Sequence, residues 1–239
     1  MGRRLRQLVG LPAAFWKLLV TELPGDAGQA LRHRYWRKRL RKLGEGVRID
    51  PGVSFQGAEF VELGDRCWID RGVMILAGPE RSTREKIARP NPAYQGEPGV
   101  VRIGTDVHVG PGCIVSGLGG GVHVSDQCGI SAGCRIYALT HHYRSRKDPS
   151  NRSTYFAPRV PPGQQCLVEG PVVLGRNTGL ALGAVLLPGV HVPEECFVAI
   201  GSVVAKGPFP PNSLIAGSPA RRVADRFPER GGAGPAADA

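Results

Sequence analysis

Residues 172–207 read VVLGRNTGLALGAVLLPGVHVPEECFVAIGSVVAKG, and a large aliphatic returns every six positions: Leu174, Leu180, Leu186, Val192 and Val198. Four positions after each stands a small residue, in turn Thr178, Ala184, Val190, Cys196 and Ser202. The same pairing runs through the earlier chain as Ile49/Val53, Leu63/Cys67, Ile69/Val73, Ile103/Val107, Val109/Cys113, Val124/Cys128 and Ile130/Cys134. Glycine or an acidic residue often follows the aliphatic, as at Asp50, Gly64, Asp70, Gly104, Gly110 and Gly175. A period of six is neither the helical 3.6 nor the 2 of a plain strand. It predicts a chain that turns a corner once per unit, with the aliphatic inside and the small residue where interior space is tight. Three units close a triangular coil, and coils stack as parallel strands about 4.8 Å apart. Residues 103–120, 124–141, 174–191 and 192–209 each supply one coil. A sandwich of alternating strands would show period two and no six-residue register.

The bulk composition agrees. A chain of 239 residues with 34 glycines, 21 prolines and 6% aromatics favours short strands and turns over long helices. Five of the six cysteines (Cys67, Cys113, Cys128, Cys134, Cys196) occupy the small interior slot, interchangeable there with Val, Thr, Ala and Ser. They read as core fillers rather than ligands or disulfide partners. Only Cys166 falls outside the repeat, in a loop, and such thiol usage suits a reducing cytoplasm.

The net charge of +11 is concentrated at the start: residues 1–48 hold 12 Lys/Arg against 3 Asp/Glu, and the rest 19 against 17. The segment MGRRLRQLVGLPAAFWKLLVTELPGDAGQALRHRYWRKRLRKLG has no apolar run long enough to span a bilayer and no convincing signal-peptide cleavage site. It predicts two amphipathic helices split near Pro24-Gly25. They either cap the repeat or hold the protein reversibly at anionic lipid, with Phe15 and Trp16 inserted. No nucleic-acid-reading motif accompanies the basic residues, and nucleic acid is not expected as a partner. The chain thus divides into a basic amphipathic arm, 1–46, a repeat domain, 47–223, and a flexible tail, 224–239, whose first residues read as a short helix. Two excursions interrupt the repeat, at 77–100 and 142–172; loops this long inside a compact domain are usually functional or disordered.

Several stretches carry a resemblance. They are the six-residue register, IYALTHH at 136–142 before the long excursion, and LPGVHVPEECFVAIGSVVAKGPFPPNSLIAGSPARRV at 187–223. In these the chain resembles the hexapeptide-repeat acyltransferases, above all the maltose and galactoside O-acetyltransferases and the sugar O-acetyltransferases of polysaccharide gene clusters. The basic arm followed by RIDPGVSF and VELGDRCWIDRGVMI is similar to the last group. The resemblance implies a mainly β fold, a left-handed parallel β-helix, assembled as a homotrimer with active sites between subunits. It also implies acetyl-coenzyme A as donor, a sugar or glycosylated intermediate as acceptor, and no metal.

Matched motif by motif, the lysine of the family's GSVVTKD is Lys206 in GSVVAKG, and the basic residue after GNPA is Arg221, with Arg222 beside it. Backbone around Ala181 and Ile200 would line the pantetheine arm. A diphosphate and a 3′-phosphate need cations and close backbone approach. The plain alternative is that these are solvated basic residues at the end of the repeat. Three departures bear on the pantetheine contacts: the family's WIG is Gly179-Leu180-Ala181, its threonine is Ala205 and its aspartate is Gly207.

The family's base follows a stretch like IYTATHP, so His141 takes its place and His142 that of the proline. A sugar hydroxyl is a poor nucleophile until a base takes its proton, and histidine titrates near neutrality. On an extended chain His141 and His142 point to opposite sides and cannot share the role. His142 as base, or two structural histidines, are the alternatives. A zinc enzyme would need a histidine cluster, but His108, His123 and His191 alternate outward. Two other readings stay open: N-acetyl transfer to an amino sugar, and a non-catalytic scaffold or sugar-binding module of the same shape.

Overall fold

The computed structural model describes residues 11–228. Two helices open it, α1 (Leu11–Glu22) and α2 (Gly25–Arg37), with Leu23 and Pro24 between them. The chain then visits three sheets in rotation. The first circuit is β1 (Lys42–Leu43), β2 (Arg48–Ile49) and β3 (Ser54–Gln56), and the second is β4 (Val61–Leu63), β5 (Trp68–Ile69) and β6 (Met74–Leu76). After β7 (Glu85–Ala88) comes a third circuit, β8 (Val101–Ile103), β9 (His108–Val109) and β10 (Ile114–Ser116). The fourth is β11 (Val122–Val124), β12 (Gly129–Ile130) and β13 (Arg135–Tyr137), followed by β14 (Leu139–His141) and β15 (Cys166–Glu169). The fifth is β16 (Val172–Leu174), β17 (Gly179–Leu180) and β18 (Val185–Leu186). The sixth is β19 (His191–Val192), β20 (Phe197–Val198) and β21 (Val203–Val204), before β22 (Ser213–Gly217) and β23 (Ala220–Asp225).

The opening strands of the six circuits form the first sheet, the middle strands the second and the closing strands the third. Pairing between circuits is parallel throughout, as in β4 with β8 and β12 with β17. At the end β22 joins β20 in parallel and β23 folds back antiparallel on β22.

The interior follows the six-residue pattern. Every aliphatic and small residue of the pairs named above is buried, none more than 3% exposed. The two polar slot residues are satisfied: Thr178 Oγ1 donates to the Pro193 carbonyl at 2.9 Å, and Ser202 Oγ accepts from the Gly217 amide at 3.1 Å. All six cysteines are free and buried. Burial pushes the Cys67 and Cys128 thiols up to about 11, which makes them inert packing groups. Cys166 is not in a loop but on β15, 1% exposed, because the second excursion carries a buried strand.

The corners differ in chemistry. Between the second and third sheets every circuit turns on a glycine with positive φ: Gly52, Gly72, Gly112, Gly133, Gly183 and Gly201, at +63° to +76°. A Cβ on Gly183 or Gly201 would meet nothing within 4 Å, so the backbone conformation rather than space requires glycine there. Close stacking dictates glycine elsewhere: a Cβ on Gly64 would lie 2.6 Å from the Gly104 carbonyl carbon one circuit on.

The repeat starts earlier than residue 47, since β1 at Lys42–Leu43 already pairs with β4. Helix α2 closes that end: Trp36 is 4% exposed and packs 4.6 Å from the Phe55 ring. At the other end residues 220–225 form β23 rather than a helix, because they find the free edge of β22. Asn212 then holds Phe227 through both its side-chain amide and its carbonyl oxygen. Residues 229–239 of the expected tail lie outside the described residues, as do 1–10 of the arm.

Candidate active site

Both long excursions leave the corner between the third and first sheets, one after β6 and the other after β13, two circuits apart. There they meet in a small sheet of order β14-β15-β7, in which His141 lies opposite Leu167 and Leu167 opposite Lys86. His141 is therefore held on a strand at the rim of the fourth circuit rather than on a free loop.

Its ring is half-buried, and Nε2 lies 3.4 Å from Oε1 of Gln165. Gln165 is 2% exposed; Oε1 accepts from Arg84 Nε at 2.9 Å and Nε2 donates to the Val160 carbonyl at 2.6 Å. A guanidinium at one end and a carbonyl at the other assign the amide's orientation. The oxygen facing His141 can only accept, so in the neutral ring this contact favours the proton on Nε2 and the lone pair on Nδ1. His142 is occupied otherwise: its Nδ1 donates to the Arg144 carbonyl at 2.7 Å, and its ring packs 4.4 Å from Tyr143.

Beside Arg84, Glu85 accepts from Ser145 Oγ at 2.6 Å and from the amides of Arg146 and Lys147 at 2.8 and 3.0 Å. These donors, the Ser145 hydroxyl foremost, hold the Glu85 carboxyl below its ordinary value. Two consecutive residues of the first excursion thus fix the second on both sides of His141. Sequence reasoning missed Arg84, Glu85 and Gln165, which sit outside the repeat. The one local signal was the alternation in TREKIAR (83–89), where β7 forms.

Lys206 follows β21 at the same corner, two circuits beyond His141. It is exposed in a cleft of about 940 Å³ shared with Arg89, Asn91, His191 and Phe209. Arg89 donates to the Ala205 carbonyl at 3.4 Å, and Asn91 stitches the first excursion to the Pro171 and Val190 carbonyls. Ala181 and Ile200 lie instead at the corner between the second and third sheets, on consecutive circuits. The Ala181 amide donates to Val198 and the Gly201 amide to Leu182, leaving Ile200 71% and Leu182 52% exposed. Arg221, on β23 beside Ala220 and Gly217, reaches that same corner through the Gly217–Ser202 bond. Arg222 is ion-paired to Asp225 at 2.6 Å. Where the family's WIG has its aromatic, Gly179 is covered by the Phe197 ring of the next circuit, 2.7 Å from where a Cβ would stand.

Within one chain the expected residues therefore fall into two groups. His141 and Lys206 flank one side of the third sheet, and Ala181, Ile200 and Arg221 flank the other. Three further histidines of the repeat stay apart. His108 faces outward, 3.2 Å from Asp70 and stacked on Trp68, while His123 and His191 are half-buried on the first sheet. Among the described residues no cluster of three or more His, Cys, Asp or Glu is gathered as for a metal ion.

No protein-family model matches the chain. It is 26% identical over 151 residues, 55% of this chain and 75% of the relative, to the Escherichia coli protein named "Putative lipopolysaccharide biosynthesis O-acetyl transferase WbbJ". Among solved structures it is similar to AntD, an N-acyltransferase from Bacillus cereus in complex with dTDP and coenzyme A. That match has a TM-score of 0.65, 17% identity and coverage of 82% of this chain and 90% of that one. It is also similar to the hexapeptide-repeat acetyltransferase VCA0836 of Vibrio cholerae, solved with acetyl-coenzyme A, at a TM-score of 0.52 and 16% identity over 94% and 90% of the two chains. In fold, and in sequence over about half its length, this chain resembles the hexapeptide-repeat acyltransferases.

Proposed function

We propose that the protein is a coenzyme A-dependent acyltransferase that moves acetyl from acetyl-coenzyme A to a hydroxyl of a sugar or glycosylated intermediate, with His141 as general base. In this reading the chain is a left-handed, three-sided β-helix that works as a homotrimer in a reducing cytoplasm. One observation carries it: the outward side of the third sheet presents a row of apolar side chains interrupted by Arg135 and preceded by Ser54, and the two groups of site residues flank it. Along that side Ser54, Met74, Ile114, Arg135, Val185 and Val203 stand in register. Three copies packed around a threefold axis by this side bury it. Each seam then joins the His141–Lys206 corner of one copy to the Ile200–Arg221 corner of the next.

At such a seam the base, the cations and the backbone of that corner act together. Lys206, Arg221 and Arg222 hold the phosphates of the donor, and the backbone at Ala181 and Ile200 lines the pantetheine arm. A groove of about 420 Å³ between His108, Gly129, Gly179, Leu182 and Phe197 opens onto the same corner. His141 Nδ1 takes the acceptor's hydroxyl proton while that oxygen attacks the thioester carbonyl. The tetrahedral species collapses as the carbon–sulfur bond breaks, and the imidazolium returns the proton to the leaving thiolate. The products are an O-acetyl sugar and free coenzyme A.

A second reading, N-acyl transfer to an amino sugar, is favoured by the similarity to AntD, an N-acyltransferase. Thiol release from acetyl-coenzyme A against a panel of sugars, sugar nucleotides and lipid-linked glycans tests the proposal. An ester product is cleaved by hydroxylamine and an amide survives, which separates the two readings. Absence of acceptor-dependent thiol release across the panel would contradict both.

A further inference from the structure

Helix α2 does the capping at the first circuit, and α1 leaves a face that the fold does not use. Val20 is turned in and 1% exposed, whereas Phe15, Trp16, Leu18 and Leu19 are 68%, 52%, 59% and 40% exposed. At 100° per residue these four side chains span roughly 160° of arc, an apolar face that ends at the last turn, where the exposed Glu22 falls within the same arc. Four large apolar groups side by side on a 12-residue helix are more than scattered surface hydrophobics.

The surroundings of that face are cationic. Trp16 and Val20 line a groove between the helices whose rim is Arg34, Lys38 and Arg39, with Leu31 and Tyr35 in its floor. Arg34, Arg37, Lys38 and Arg39 are exposed, and among the described residues none has a carboxylate within ion-pair distance. Arg39 lies over the Tyr35 ring at 3.6 Å, which keeps its charge at the groove mouth. By contrast Arg41 and Arg48, facing the circuits, are paired with acidic residues. Arg34, Lys38 and Arg39 thus bring unpaired positive charge to the Trp16 side of the apolar face.

We propose that this surface docks on an anionic lipid bilayer, with Phe15, Trp16, Leu18 and Leu19 entering the headgroup–acyl boundary and Arg34, Lys38 and Arg39 meeting lipid phosphates. Apolar burial and attraction to anionic headgroups are the two contributions that hold an interfacial helix, and here both come from one patch. Four apolar side chains on a 12-residue helix make an interfacial contact, and no described helix is long and apolar enough to cross a membrane. This inference is independent of the acyltransferase reading.

The test is flotation of the full-length protein with vesicles of phosphatidylcholine alone or with 30 mol% phosphatidylglycerol, together with the part of the tryptophan emission that Trp16→Phe removes. The expected result is binding at least tenfold stronger to the anionic vesicles, weakened severalfold by 0.5 M salt, with a blue shift of emission. Phe15→Glu/Leu19→Glu and Arg34→Glu/Lys38→Glu, both at exposed positions, should each lose at least tenfold while melting like the parent. The proposal is overturned if the parent protein does not float, if it prefers neither vesicle, or if both variants float like the parent. It is also overturned if Phe15→Glu/Leu19→Glu changes the oligomer's mass, because the face would then be a contact between copies.

Discussion

Nε2 of His141 lies 3.4 Å from Oε1 of Gln165, the oxygen that Arg84 also holds at 2.9 Å. The imidazole is thereby oriented from behind by a neutral acceptor that the partly buried Arg84 keeps in place. Nδ1 is left as the nitrogen that can take a proton.

If His141 is the base, His141→Ala should lower kcat by roughly 10²-fold or more, with coenzyme A affinity changed by less than about threefold. Its ring is half-buried at a rim, so its loss opens no large interior cavity. His142→Ala should cost under about threefold in kcat, since that ring serves only its own loop. Steady-state kinetics with a coenzyme A binding isotherm measure both; loss of activity in His142→Ala alone would move the base by one residue.

Gln165 acts through His141, so its variants should move a pH profile. Gln165→Glu puts a carboxylate against the imidazole, favours the imidazolium and should shift the acid limb of kcat/KM upward by about one pH unit. Gln165→Ala should lower kcat by roughly tenfold without that shift. An acid limb identical in all three proteins would mean that Gln165 only packs.

Acid should destabilise the fold through His123 and His191, whose pKa values burial lowers. The unfolded chain, with histidine near 6.5, then binds protons that the folded chain refuses. Stability is accordingly full above that value and is lost as pH falls below it toward the folded-state values. The melting temperature should decline between pH 7 and pH 5, and less steeply in His123→Gln. An equal decline in that variant would remove His123 from the account.

Much of this fold is legible in the sequence. The period of six placed Leu174, Leu180, Cys128 and Thr178 inside because a repeated corner imposes the same steric demand on every circuit. The aliphatics Ile75, Val115 and Ile136, six positions after Ile69, Val109 and Ile130 and all fully buried, are less legible because the chain leaves the register just after them. The network around His141 was illegible for a related reason. Arg84 and Gln165 are 81 residues apart and meet only because both excursions leave one corner. No local pattern encodes that meeting. His141 is singled out in the sequence by its motif alone, and its hydrogen-bond partner is seen only in the structure.

Because His141 and Arg221 sit on opposite sides of the third sheet, the central claim is that one active site is built from two chains. Mixing His141→Ala chains with Arg221→Glu chains under conditions that exchange subunits tests it most directly, read by thiol release from acetyl-coenzyme A. Each variant alone should be nearly inactive at subsaturating donor. Random mixed trimers should recover about a quarter of the parent activity, since one seam in four joins an intact His141 to an intact Arg221. A mixture that exchanges subunits and stays at the level of the separate variants would contradict the shared site.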